Sequence, residues 1–481
     1  MKLAELKMTL GEVDLGSVDA ESDARLAEYF VKTPQATVAT QLRKTQFLGR
    51  KGAGKSALFS QLQSLFHSSG QLRTRVVLLT PDQYAWGALR QYKEFGLLPE
   101  QAHANAWQFT IAVEAAAVLS NELDTLFHET SQLSLRRLKK FIAQNYGGKM
   151  PDARTTATRL VKGLESFNLE AFGFGFGFTR QSHEQPLTPQ VVGLLFEDLK
   201  KLSRDIGVVV ALDRLDDSWD GSTEAKSLLI GLLKAAKEIN DRFSDRAHAR
   251  GISCLVFLRA DIYDGLQFDD KDKHRPLEET ITWTPDLLKR MVDERLPDGV
   301  TTDELFESGD MRGSIAPFNY IVKRTFLRPR EVIQFLQECM RRAGDSAVEI
   351  SKDIIREAEE KYSGWKVEDV KQEYRRLHPH FEALVEALRQ GYHRYDSIQE
   401  FEEHLHERIP DVVKNAGARV AIELLFDASL IGVRLGNAGT ARFKCEDSDL
   451  ALPTSGGVYV HQSLYKGLSL REKRAGEVDP E

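Results

Sequence analysis

The stretch Phe47-Leu48-Gly49-Arg50-Lys51-Gly52-Ala53-Gly54-Lys55-Ser56-Ala57-Leu58, FLGRKGAGKSAL, sets three glycines and two lysines between apolar flanks. Gly49 and Gly54 have four residues between them and are followed by Lys55 and Ser56, the spacing of a phosphate-binding loop. Glycines let the backbone curl until successive N–H groups point inward at an anion, and a side chain at Gly52 or Gly54 would obstruct that approach. In such a loop the lysine reaches the outer phosphates of a nucleotide and the hydroxyl ligands Mg²⁺. The flanks agree. TQFLG reads as a short buried strand, and SALFSQLQSLF as a helix with Leu58, Phe59, Leu62, Leu65 and Phe66 on one face. Strand, loop and helix N-terminus form an anion site, so Gly49, Arg50, Lys51, Gly52, Ala53, Gly54, Lys55, Ser56 and Ala57 are the expected phosphate contacts.

A triphosphate loop needs an acid at the end of a neighbouring strand to hold the metal. DIGVVVALDRLDDSWD supplies one: Val208 to Leu212 is a continuous apolar run suited to a parallel strand covered on both faces, and it ends in Asp213. Ser56 and Asp213 are therefore the expected magnesium ligands. Hydrolysis also wants a group that aligns the attacking water, and Asp216 keeps the rim position of Asp213 at helix-like spacing. Asp217 and Asp220 read as acids of a solvated turn before the next helix. A further run, GISCLVFLRAD, gives a strand from Ile252 to Leu258 with Arg259 at its carboxyl end, where open α/β sheets place ligands. Arg259 either senses the γ-phosphate or pairs with Asp261 or Asp264. RTRVVLLTP gives a strand around Val76 to Leu79, and TITWTP a short one near Thr280 to Trp283, outlining a five-strand parallel sheet.

The whole composition is that of a soluble globular chain. Of 481 residues, 42% are hydrophobic and 28% charged, enough for about two or three domains. No window approaches the roughly 18 uninterrupted apolar residues of a membrane span. MKLAELKMTLGEVDLG lacks the apolar centre of a signal peptide, so a cytoplasmic protein with no membrane partner is expected. Cys254, Cys339 and Cys445 are single and far apart, with no CxxC pair for zinc or redox chemistry. A net charge of -7 argues against a chain that coats nucleic acid. His404 and His406 share no helix face, and His378 and His380 lack acidic or thiol neighbours, so no histidine metal site is expected.

GRKGAGKS, VVVALDRLDDSWD, FLRAD and the later FLRPREVIQFL occur in one order, and with them the chain resembles the AAA-like and STAND-like P-loop ATPases. More closely, it is similar to the prokaryotic stand-alone members found in mobile and antiviral-defence gene neighbourhoods. The resemblance covers about residues 15 to 345. It makes GRKGAGKS a Walker A loop and the strand ending in Asp213 a Walker B strand, and it implies an ATP- and Mg²⁺-dependent ATPase working as a homo-oligomeric switch on a protein effector. It also implies that Arg328 and Arg330 of LRPRE contact the γ-phosphate from a helical lid; Pro329 fits the first turn of that lid helix. Arg275, in FDDKDKHRP, stands where AAA-like relatives place an arginine finger directed at a neighbouring subunit; the alternative is pairing with Asp269, Asp270 or Asp272. The pattern departs at one place. Many relatives have Asp-Glu after the acidic strand, whereas this chain has Asp213-Arg214, which leaves the catalytic base open and suits slow turnover.

The long segment between loop and acidic strand must hold a helical insertion, seen in ANAWQFTIAVEAAAVLSNELDTLF and LSLRRLKKFIAQNY. Its FGFGFGF run, Phe172 to Phe178, reads as a strand or hairpin with one aromatic face. From Glu349 the chain turns to charged helical segments, one opening with Ser397 and Glu400 at capping-box spacing. ARVAIELLFDASLIGVRLG, TARFKCED and GGVYVHQSLYKGLSL then read as a helix followed by two paired strands. Arg434, Arg442, Lys444, Lys466, Arg471, Lys473 and Arg474 make this end locally basic, so it docks a protein or, alternatively, nucleic acid. The expected architecture is α/β: a P-loop core over 1–285 with its insertion at about 85–185, a helical lid over 286–345, connecting helices over 346–410, and a winged-helix-like domain over 411–481.

Overall fold

The computed structural model describes residues 2–80, 86–93, 96–147, 153–162, 166–172, 191–217, 219–243, 245, 250–434 and 440–473. The FGFGFGF run beyond Phe172, and Arg474, lie outside them. The chain divides into two compact units: Lys32–Arg50 with Gly54–Ile281, and Met1–Val31 with Lys51–Ala53 and Thr282–Glu481.

The first unit is built on five parallel strands, β1 (Gln46–Gly49), β2 (Thr74–Leu79), β3 (Gly207–Leu212), β4 (Ile252–Arg259) and β5 (Glu278–Thr280), in the order β2-β3-β4-β1-β5. β4 thus lies between the loop strand and the acidic strand. Its register sets Arg259 opposite Gly49 and Val256 opposite Leu212, so the carboxyl ends of β1, β3 and β4 share one rim. β3 is buried along its whole length, as a strand covered on both faces requires. β5 ends three residues before Trp283, where the sequence pattern had extended it; Ile281 N–H still donates to Leu48 O at 2.7 Å.

Nine helices of this unit are described: α1 (Pro34–Gln41), α2 (Lys55–Ser68), α3 (Trp86–Gln91), α4 (Pro99–Asn121), α5 (Gln132–Tyr146), α6 (Ala153–Val161), α7 (Gly193–Leu202), α8 (Thr223–Phe243) and α9 (Ala260–Asp264). The helices α3 to α7 form the insertion between β2 and β3. α4 is buried nearly all round because its alanines let neighbours approach on every side. Against α8 the approach is closest at Gly231, where a Cβ would come within 2.6 Å of the His103 Cβ. The Trp107 indole donates to Leu228 O at 3.1 Å across the same crossing.

The second unit contains α10 (Pro285–Asp293), α11 (Pro317–Val322), α12 (Pro329–Ala343), α13 (Lys352–Tyr374), α14 (Phe381–Ala387), β6 (Arg394–Tyr395), α15 (Ile398–Arg408), α16 (Pro410–Ala416), α17 (Ala418–Asp427), β7 (Ile431–Arg434) and β8 (Gly457–Val460). Thr284 caps α10 by accepting from Leu287 N–H, with Pro285 at its first position. Ser397 likewise accepts from Glu400 N–H at 3.0 Å, while the Glu400 carboxylate takes the N–H of Asp396 instead of completing the box on Ser397. The three short strands form an antiparallel sheet ordered β6-β8-β7. α14, α15 and α17 pack around it, and β6 comes from the stretch that the sequence pattern assigned to connecting helices.

Two cores organise this unit. Leu3, Leu10, Val13, Leu15 and Val31 pack with α10 to α13, although the sequence reading had counted them with the sheet; they sit on short turns whose irregular spacing announces no partner. The other core gathers α14 to α17 and the antiparallel sheet. α13 serves both, with Ile355, Ala358 and Tyr362 in the first and Val367, Val370 and Tyr374 in the second. Its charges are not all solvated: Lys366 Nζ lies 2.5 Å from Glu331 Oε1, Arg328 Nη1 donates to Glu373 at 3.0 Å, and Arg324 Nε to Glu359 at 2.7 Å, all buried or nearly so. No helix among the described residues is long and apolar enough to cross a membrane.

Candidate nucleotide site

Between β1 and α2 the backbone turns through Gly52 and Gly54 at φ of 79° and 91°, the left-handed region in which glycine carries no steric cost. Lys55 opens α2, and its ammonium curls back over the loop, donating to Gly49 O at 2.9 Å and Arg50 O at 3.2 Å. Burial holds the amine below its ordinary pKa, opposed by the charges of Asp216 and Asp213. A buried ammonium resting on two carbonyls of a glycine loop is fitted to an anion in front of it.

Asp213 follows β3 and is 1% exposed. Burial raises its carboxyl from 3.8 to about 6, against the pull of Lys55 and of the neighbouring Ser56 hydroxyl. Serine and carboxylate, the two expected magnesium ligands, therefore stand together. A carboxylate kept in so dry a place beside a hydroxyl fits a divalent cation, whose charge would favour the ionised form. Next, Arg214 takes a left-handed φ of 59° and turns its guanidinium to Asp217, Nη2 to Oδ2 at 2.5 Å. That turn buries Leu215 and returns Asp216 to the rim. Asp220 accepts from Ser222 N–H at 3.0 Å and pairs with Arg90 at 2.8 Å just before α8.

Arg259, at the end of β4, is held by Asp261 through two bonds, Nε to Oδ1 at 3.1 Å and Nη2 to Oδ2 at 2.5 Å. Its remaining nitrogen, Nη1, lies 3.7 Å from Asp216 Oδ2. The ion pair left open by the sequence is thus made, and the same guanidinium faces Asp216. Lys55, Asp213, Asp216, Arg259 and Asp261 act on one another electrostatically and form one charged cluster at the rim.

The expected pair of lid arginines separates. Arg328, the residue before α12, has an extended backbone, and its guanidinium is buried between Glu373 and Glu331, at 3.0 and 3.5 Å. Arg330 lies along the loop tip, where a Cβ on Gly52 would meet its Cβ at 3.1 Å, and its guanidinium pairs with Asp19. Arg275 is exposed on a short turn before β5 and makes no ion pair among the described residues; Asp270, one of its expected partners, pairs with Lys273 at 2.6 Å. Sequence reasoning missed Trp283, whose indole donates to Ala53 O at 2.8 Å, and Asp369, whose carboxyl is raised by burial and drawn down by Lys366 and Lys51. A lone tryptophan beyond a strand end carries no local signal. Asp261 was noticed only as a charge partner of Arg259.

The strand order, the glycine loop and the acid at the rim agree. The fold is that of a P-loop nucleotide-binding protein. Residues 286–371 match the family described as the FunZ-associated C-terminal helical domain. The chain is 23% identical to the putative transposon gamma-delta 80.3 kDa protein of Escherichia coli K12, over 97% of this chain and 68% of that protein. Among solved structures it is similar to the Aeropyrum pernix ORC2 protein in its ADPNP and ADP complexes, at TM-score 0.40 and 12% identity over 93% of this chain and 97% of that one. It is also similar to Cdc6p of Pyrobaculum aerophilum, at TM-score 0.31 and 12% identity over 90% and 91%.

Proposed function

We propose that the protein binds ATP with Mg²⁺ and hydrolyses it slowly as a nucleotide-operated switch. The observation that carries this reading is Lys55 curled over the glycine loop with Ser56 and Asp213 side by side next to it. When the triphosphate arrives, the Lys55 ammonium exchanges its two carbonyl partners for phosphate oxygens, and the loop N–H groups take the rest of the charge. Ser56 and Asp213 would hold the magnesium, which would supply neutralisation of the phosphate charge. Asp216 aligns water on the rim and accepts its proton, since Arg214, standing where many relatives carry a glutamate, is turned to Asp217.

The switch reading rests on the resemblance, and so does assembly into a homo-oligomer through Arg275. A relative named for a transposon fits a mobile gene neighbourhood, and antiviral defence is the role we propose within it. For the C-terminal module a protein effector is favoured over nucleic acid. α15 to α17 and their loops carry Glu402, Glu403, Glu407, Asp411, Glu423 and Asp427 against Arg408, Lys414 and Arg419. Much of the basic end is already paired, Lys473 with Asp396 and Glu400, and Arg442 with Asp447. Such a face repels phosphate and cannot release many counterions.

Lys55→Ala tests the reading. The variant should keep its fold by circular dichroism and lose ATP turnover by on the order of 100-fold or more, as for loss of one buried donor to developing charge. Equal turnover in variant and parent would refute it.

A further inference from the structure

The rim of the sheet holds a carboxylate–guanidinium–carboxylate row, and its far end does a job that the hydrolysis reading leaves unassigned. Arg259 is 12% exposed in its side chain, Asp261 9% and Asp216 25%, so the row runs from the interior out to the rim. Arg259 gives Asp261 a forked, two-bond contact at 3.1 and 2.5 Å. To Asp216 it offers only Nη1 at 3.7 Å, beyond hydrogen-bond length. Asp261 takes the side edge of the guanidinium, Nε with Nη2, which fixes the plane of the group and leaves Nη1 facing Asp216.

The consequence for Asp216 is direct. If the guanidinium swung off Asp261 and bonded Asp216 directly, it would stabilise the charged carboxylate and make it a poorer base toward water. With the guanidinium anchored on Asp261, its Nη1 stays 3.7 Å from Asp216 Oδ2, beyond direct hydrogen-bond length. Asp261 sits in the first turn of α9, immediately beyond β4, so the strand end and the helix start fix both partners on rigid backbone. Arg214 cannot substitute as a competitor for Asp216, because its own guanidinium is turned to Asp217.

We infer that Asp261 is a positioning residue for ATP hydrolysis: by holding the fork of Arg259 it keeps that guanidinium from closing on Asp216, and so keeps Asp216 available to water. This rests on the reading of Asp216 as the water-aligning acid.

The test uses the full-length chain and measures ATP turnover, affinity for a fluorescent ATP analogue with Mg²⁺, and thermal midpoint. Asp261→Asn keeps the shape but weakens the hold on Arg259, and turnover should fall ~10- to 100-fold, the scale of a small misplacement in a reacting site, with nucleotide affinity unchanged. Asp261→Glu should restore part of the loss. In an Asp216→Asn background the Asp261→Asn change should cost nothing further, because the group it protects is gone. Parental turnover in Asp261→Asn overturns the inference, as does a loss that adds fully to that of Asp216→Asn, or one that tracks lowered affinity. Should Asp261→Asn fail to fold, Arg259→Lys keeps the charge without the fork, and it too must lose turnover only where Asp216 is intact. Parental turnover in Asp216→Asn alone would overturn the reading of Asp216 itself, whatever Asp261 does.

Discussion

Replacing Asp213 with asparagine should make the nucleotide-free protein more stable while removing its response to magnesium. The carboxyl titrates near 6 in the folded chain against an ordinary 3.8, chiefly because burial penalises its charge. Each pKa unit corresponds to about 1.4 kcal/mol, so carrying this charge near neutral pH costs the fold roughly 3 kcal/mol. The direction follows from linkage. The folded state holds the Asp213 proton more tightly than the unfolded chain, so stability is undiminished below pH 3.8 and declines as pH rises toward 6. An asparagine in its place would keep the shape and a polar group beside Ser56 without the charge. Urea unfolding near neutral pH should therefore show Asp213→Asn gaining about 2 to 3 kcal/mol, with the gain fading as the buffer approaches pH 4. With ATP present, magnesium should raise the unfolding midpoint of the parent and leave the variant unmoved, since a ligand stabilises only the state that binds it. A variant less stable than the parent near neutral pH, or an equal gain at both pH values, would refute the argument that this carboxylate is kept ionised at the fold's expense.

Three further outcomes are expected. Lys366→Met should lower stability by about 1 to 3 kcal/mol because it takes from buried Glu331 its nearest charge partner and leaves it Arg328 at 3.5 Å, and adding Glu331→Gln should recover part of that loss in a double-mutant cycle by urea unfolding. Burial lowers His274 to about 4 and His461 to about 3, so each is neutral in the fold; since the unfolded histidines titrate near 6.5, the unfolding midpoint should fall as pH drops from 6.5 toward 4, and His274→Gln should flatten part of that slope. Arg275→Ala subunits should be inactive alone yet regain ATP turnover when mixed with Lys55→Ala subunits, each supplying what the other lacks; parental turnover in the single variant, or a monomer at every concentration by light scattering with ATP, would refute a cross-subunit finger.

The parts of this molecule legible in its sequence are those whose physics is local. A glycine loop before an amphipathic helix, and an apolar run such as Val208 to Leu212 ending in an acid, announce themselves over a dozen residues. The order of the strands was less accessible, because pairing β4 between β1 and β3 depends on contacts the pattern does not encode. Distance in sequence hid the rest: Trp283 meets Ala53 across 230 residues, and Gln337 reaches Gly16 across 321. Charge misled as well. Glu331, Lys366 and Glu373 look like a solvated helix surface, since burial of paired ions leaves no mark on hydropathy. Arg328 and Arg330, two residues apart, carry the same motif and yet point to different surroundings, because the backbone changes from extended to helical between them.

The family match ends at residue 371, three residues short of the end of α13. A helix of that length is about 34 Å of continuous rod, and its last two turns belong to the neighbouring core. A chain severed at the matched boundary would uncover Val367 and Val370 and abolish the bond from Arg328 to Glu373. The matched stretch therefore stops inside a helix that both cores share, and a fragment that keeps both cores whole runs on through the antiparallel sheet to Leu468.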